Sequence, residues 1–319
     1  MVYMVTGGAG FIGVRVARDL LRQGDIVVLY DTSPHVESLK RVIPSDLVDG
    51  LALVSGNVLD LAKMIDTAKR YAVKKIIHLA YLLGPDSSDN PLMAIRVNCE
   101  GTVNVFETAR LLELERVVWA SSAGVYGEAR HYRESILPND APHRPIYIYG
   151  ACKSLCEFVA THYFTKWGVD GIGLRLTFIY GPDVRRGAAA DLFTGLIDKP
   201  AMGIPSIVPF GDDTMNLQHV DEASRLLIMA ADAPKTSTRV FNTTGEVVRV
   251  RDAVGYVREL LPDAEITTLP GLYWGVGVIP RYDTNRLEEE IGFKPRYGLK
   301  EGLRRSINEV RAQSGLAPI

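Results

Sequence analysis

The chain opens Val2-Tyr3-Met4-Val5-Thr6-Gly7-Gly8-Ala9-Gly10-Phe11-Ile12-Gly13, and this stretch decides the fold. Residues 2–5 are a short apolar run of the kind buried on both faces of a parallel sheet. Gly8, Gly10 and Gly13 then set a G-x-G-x-x-G pattern directly between a strand and a helix. Glycines there let the backbone turn tightly and approach a pyrophosphate, whose charge suits the amide-rich start of the helix. Asp31 ends the next apolar run, 18 residues after Gly13, where a carboxylate accepts hydrogen bonds from an adenosine ribose. The same carboxylate repels a 2′-phosphate, so the pattern favours NAD over NADP; Arg15 is the residue that keeps NADP open.

Outward from the glycines, short apolar runs at 26–30, 51–54, 75–79, 117–120 and 172–176 alternate with helix-length stretches at about 11–23, 58–70, 91–113 and 147–166. This rhythm predicts an α/β fold of the Rossmann type, a doubly wound parallel sheet. Past Gly181 and Pro182 the pattern loosens, then a helical stretch at about 220–232 and a strand-like run at 239–242 rejoin the first unit. The expected organisation is a nucleotide-binding domain of residues 1–181 and 217–244, interleaved with a smaller substrate-binding domain of residues 182–216 and 245–319.

The 319 residues are 47% hydrophobic and 23% charged, ample for a sizeable core. With 36 Lys plus Arg against 38 Asp plus Glu, the net charge of −2 carries no basic surplus for nucleic acid. Cys99, Cys152 and Cys156 have neither disulfide-framework nor zinc spacing, so no metal is expected. No leader and no membrane-length apolar run is read, and the expectation is a cytoplasmic protein with no membrane partner.

Tyr149 and Lys153 are four apart in a helical run and share one face. An ammonium beside a phenol favours the phenolate and makes Tyr149 an acid/base near neutral pH. Ser121-Ser122-Ala123-Gly124-Val125-Tyr126-Gly127 follows an apolar strand, at the edge where open α/β sheets bind ligands. A hydroxyl there holds the oxygen that exchanges a proton with Tyr149.

With these elements in place the sequence resembles the extended short-chain dehydrogenases/reductases, in particular the NAD-dependent epimerase/dehydratase group. The resemblance rests on 6–13, Asp31, His78-Leu79-Ala80, Asn98-x-x-Gly101-Thr102, 121–127, Tyr149-x-x-x-Lys153, Leu174-Arg175 with Tyr180-Gly181-Pro182, His219-Val220-Asp221, and Asp283 with Ile291-Gly292-Phe293-x-Pro295. It implies catalytic Tyr149, Lys153 and Ser122. It implies a cofactor site of Gly7, Gly10, Phe11, Ile12, Gly13, Asp31, Asn57, Val58, Leu79, Ala80 and Asn98, together with Tyr149 and Lys153. Asn57 stands where the family usually has an Asp beside the adenine. The resemblance also implies a homodimer built on the helices at about 91–113 and 147–166.

The departures bear on substrate. Sugar-nucleotide members usually carry an Asn where Phe178 stands, an Arg where Met215 stands, and a basic residue several positions before the late Asp, in the Trp274–Val278 region. Losing three polar anchors argues for a substrate without a diphosphate, because buried charged oxygens left unpaired are costly. Arg185, Arg186 and Arg281 are the residues able to compensate. The substrate residues are then Leu82, Ser122, Ala123, Tyr149, Phe178, Arg185 and Met215, with core packing the competing role for Phe178, Met215 and Trp274. Ala123 and Gly124, where the dehydratase branch has an acidic pair, disfavour water elimination. The expected activity is hydride transfer between a secondary alcohol or ketone carbon and NAD; a nucleotide-sugar 4-epimerase with tightly bound NAD is the alternative, and a non-catalytic cofactor sensor a remote one.

Overall fold

The computed structural model describes residues 1–34, 39–184, 187 and 189–319. Its strands are β1 (Val2–Thr6), β2 (Ile26–Asp31), β3 (Leu51–Ser55), β4 (Lys75–His78), β5 (Arg116–Ser122), β6 (Gly171–Leu176), β7 (Phe178–Tyr180), β8 (Ser206–Val208), β9 (Thr214–His219), β10 (Val240–Asn242), β11 (Glu246–Arg249) and β12 (Ile266–Thr268). Seven form a parallel sheet in the order β10-β6-β5-β4-β1-β2-β3. β5 and β6 are buried along nearly their whole length, which is why they read as unbroken apolar runs. Register brings Thr6 opposite both Tyr30 and His78. The strand order therefore reverses about β1, the switch point at which such sheets bind ligands.

The helix Gly13–Arg22 follows the glycines as expected, and Ile148–Trp167 carries Tyr149 and Lys153. The expected helix at 91–113 is not continuous. A turn at Pro91–Ala94 leads into a wide π turn, Ile95–Glu100, before Gly101–Leu111. The wide turn carries the fully buried Asn98, whose amide accepts from Leu82 N at 2.8 Å and donates to Leu82 O at 3.0 Å. A short helix at Gly84–Asp89 follows Leu82 and was not visible as periodicity.

A second core of Leu192, Leu196, Met215, Val254, Leu303 and Ile307 lies among a three-stranded sheet, β11-β9-β7, the pair β12-β8, and the helices Val250–Leu260 and Leu299–Gln313. Among the described residues, no helix is long and apolar enough to cross a membrane.

Candidate active site

The carboxyl ends of β1, β2, β4, β5 and β6 open onto one cavity of about 1080 Å3. At one end lies the glycine turn. Gly7 has φ +65°, and a Cβ on it would lie 2.7 Å from the backbone of Leu79 and Ala80; one on Gly13 would lie 2.4 Å from Gly7 O. The helix at Gly13 has no side-chain cap, and Gly10, Phe11, Ile12 and Gly13 all line the cavity at its start. Asp31 accepts from Ala9 N at 3.1 Å and Ser33 N at 3.0 Å, one bond per oxygen, which leaves lone pairs for ribose hydroxyls. Asn57, Val58, Leu79 and Ala80 complete this end. Asn57 turns its amide oxygen onto Leu59 N at 3.0 Å. A close backbone cradle, uncapped amides and an acid at the strand end fit a dinucleotide.

Arg15 borders this end of the cavity but is already engaged. It is 2% exposed and paired with Glu309 at 3.0 Å, and its Nη1 donates to Phe11 O at 3.2 Å. The exposed Arg41 also borders the cavity near Asp31.

In the middle, Ser122 and Tyr149 share the wall. Ser122 Oγ accepts from Gly124 N at 3.0 Å and starts the single turn Ala123–Val125. The helix bearing Tyr149 fits against that turn because residue 150 is glycine: a Cβ there would come within 2.4 Å of Gly124 O. Burial pushes the Tyr149 hydroxyl well above the usual phenol range, the neighbouring Tyr147 adds to this, and a hydrogen bond from Ser122 opposes it. Lys153 is fully buried, donates to Ala120 O at 2.5 Å, and lies over the ring of Tyr81, with its ammonium 5.3 Å from the centre of the Tyr149 ring. Burial holds its pKa well below the ordinary lysine range.

The shared helix face is as expected, and burial is the largest influence on both groups, raising the phenol and lowering the ammonium. Lys153 also points beneath the cavity rather than lining it. Asn98 likewise stands behind the wall and positions Leu82, which lines it.

Beneath the site lies a buried ionic knot. Glu157 accepts from Ser121 Oγ at 2.6 Å and from Arg175 at 2.9 and 2.7 Å. Arg175 also donates to Asn139 O at 2.6 Å and to the Tyr126 hydroxyl. Burial works against the Glu157 charge, but the bonds from Arg175 and His143 outweigh it and hold the pKa at about 2. His78 is structural: its ring nitrogens meet Thr6 Oγ1 at 2.6 Å and Thr102 Oγ1 at 3.1 Å.

At the far end, Leu82, Ala123, Phe178 and Trp274 line the cavity. Met215 does not. It is fully buried in the second core, and Asn216, the next residue on β9, faces the cavity instead, because neighbouring strand residues alternate sides. Arg185 and Arg186 lie outside the described residues, and Arg281 is exposed and does not line the cavity. Sequence reasoning missed Tyr81, Tyr147, Asn216 and Tyr273 as wall residues. Tyr147, two places before Tyr149 at the start of a helix, had a local signal; the others arrive through tertiary contact.

A parallel sheet with a glycine turn at its switch point and a Tyr/Lys helix beside a serine turn define a nicotinamide-dependent enzyme of the short-chain dehydrogenase/reductase class. The chain belongs to the NAD dependent epimerase/dehydratase family, whose model matches residues 3–243. It is 27% identical to UDP-glucuronate 4-epimerase 4 of Arabidopsis thaliana over 95% of this chain and 74% of that one. The structure of MoeE5 in complex with UDP-glucuronic acid and NAD superposes with a TM-score of 0.82 at 26% identity, covering 98% and 100% of the two chains. A GalE-like L-threonine dehydrogenase from Cupriavidus necator shares the fold, with a TM-score of 0.85 at 22% identity over 96% and 99%.

Proposed function

We propose that this enzyme transfers a hydride between a secondary alcohol or ketone carbon and NAD, on a substrate without a diphosphate. Bound NAD supplies the hydride acceptor. Tyr149 takes the hydroxyl proton and Ser122 holds the oxygen that loses it. Lys153, anchored on Ala120 O, sits one helical turn from Tyr149 and contributes positive charge when protonated. The observation that carries this reading is that Ser122 and Tyr149 share one wall of the cavity that the glycine turn enters. The preference for NAD over NADP is supported by Asp31 and by the engagement of Arg15 with Glu309. Residues 182–216 and 245–319 act as the substrate-binding part, against the nucleotide-binding part of 1–181 and 217–244.

Loss of polar anchors at Phe178 and Trp274 supports a substrate lacking a diphosphate. A UDP-sugar 4-epimerase is the second reading, favoured by what the sequence relatives are named for. An epimerase keeps NAD through purification and converts its substrate without added cofactor, whereas a dehydrogenase needs NAD stoichiometrically. Leu92, Ile95, Leu155 and Phe158 are exposed apolar residues, Phe158 to 71%, on the helical elements expected to pair in a homodimer. The location inferred is cytoplasmic.

The test is Tyr149→Phe, assayed by NADH absorbance across hydroxylated compounds with and without a nucleotide group. Turnover falls at least about a thousandfold while NAD affinity is retained; turnover within tenfold of the parent refutes the role of Tyr149.

A further inference from the structure

The substrate half of the cavity is walled by a continuous chain of aromatic rings. Phe178 meets Tyr273 edge-on at 5.0 Å between centroids, Tyr273 meets Trp274 at 6.1 Å, and Trp274 stacks on Tyr147 at 5.2 Å with 9° between the planes. All four residues line the cavity. The chain ends at the reacting groups. Tyr147 is two residues before Tyr149, and its hydroxyl lies 2.6 Å from where a Cβ on Gly124 would stand, beside Ser122 Oγ at 3.2 Å from the same point.

Trp274 is the residue whose position needs explaining. It is 43% exposed, so its packing contributes little to folding, and its φ of +55° is a left-handed conformation that costs a bulky residue of order 1 kcal/mol or more. Gly271, Gly275 and Gly277 beside it also have positive φ, and the buried Asp213 accepts from Tyr273 N at 2.9 Å. The loop places the indole on the cavity wall, with one ring edge 3.8 Å from where a Cβ on Gly84 would stand. These rings offer flat faces to another ring.

We propose that the substrate carries an aromatic ring attached to, or one atom from, the reacting carbinol, and that Trp274 and Tyr147 select it by stacking. This inference rests on the hydride-transfer reading above and narrows its substrate class to aryl carbinols. Trp274 is the specificity-determining residue and takes no part in proton transfer.

The probe is 1-phenylethane-1,2-diol, with propane-1,2-diol and UDP-glucose as comparators. Binding is measured by calorimetry on NAD-loaded Tyr149→Phe protein, so that affinity is read without turnover. The aryl diol binds about tenfold tighter than the alkyl diol and tighter than UDP-glucose. W274A weakens the aryl diol about tenfold and leaves the alkyl diol and NAD unchanged, and W274F restores most of the aryl affinity. Equal affinity for the two diols, tighter binding of UDP-glucose, or a W274A effect under twofold overturns the inference. NADH formation by the parent enzyme separates the two levels: W274-dependent aryl binding without NADH keeps the specificity assignment and refutes hydride transfer from this class, whereas NADH from UDP-glucose alone keeps hydride transfer and refutes the aryl assignment.

Discussion

Replacing Glu157 by Gln tests the buried knot on which the site is mounted. Glu157 is 6% exposed and faces Ser121, Arg175 and His143. Its pKa falls from the ordinary 4.5 to about 2 in the folded chain, which corresponds to roughly 3 kcal/mol of stability at neutral pH. An independent route gives a similar size, since removing one partner of a buried ion pair typically costs about 3–5 kcal/mol. Glutamine keeps the shape but not the charge, so E157Q loses roughly 3 kcal/mol at pH 7 by urea unfolding. The sign with pH follows from the direction of the shift. A carboxyl with a depressed folded-state pKa stabilises above its unfolded value and loses that contribution as pH falls through the folded one. The gap between parent and variant is therefore full above about pH 4.5, shrinks below it, and closes near pH 2. A gap under about 1 kcal/mol at pH 7, or one that stays constant from about pH 4.5 down to 2, refutes the reasoning. Because Glu157 anchors the residue before Ser122, kcat falls in the same variant.

Gly7→Ala raises the NAD dissociation constant at least about tenfold and lowers the unfolding midpoint, since the added Cβ meets backbone at 2.7 Å and φ is +65°. Gly24→Ala, with φ +82° but nothing within 4 Å of the new Cβ, is the control: calorimetry shows NAD binding unchanged and a loss of only about 1 kcal/mol. With the Tyr149 hydroxyl pushed up by burial, alcohol oxidation needs the deprotonated form, so kcat/KM rises from about pH 6 towards pH 9; a flat profile over that range removes Tyr149 as the base.

Much of this enzyme is legible in its residues because the deciding patterns are local. A strand running into glycines, an acid at the end of the next strand and a Tyr/Lys pair one turn apart each report a backbone geometry within a few residues, and the family and the sheet follow. The π turn at Ile95–Glu100 was not legible, because its residues fit ordinary helical periodicity and only the fit of Asn98 onto Leu82 selects the wider turn. Met215 was misplaced because β9 alternates sides, and only the packing of β9 between β7 and β11 decides which side meets the cavity. The same holds for charge. Spacing puts Lys153 beside Tyr149, but spacing carries no information on burial, and burial is the largest influence on both pKa directions. Residue identity and short spacing thus determined the sheet, the glycine turn and the shared helix face of Tyr149 and Lys153. Tertiary structure alone decided their electrostatics and the stacking of Trp274 on Tyr147, because contacts between residues distant in sequence exist only once the core has closed.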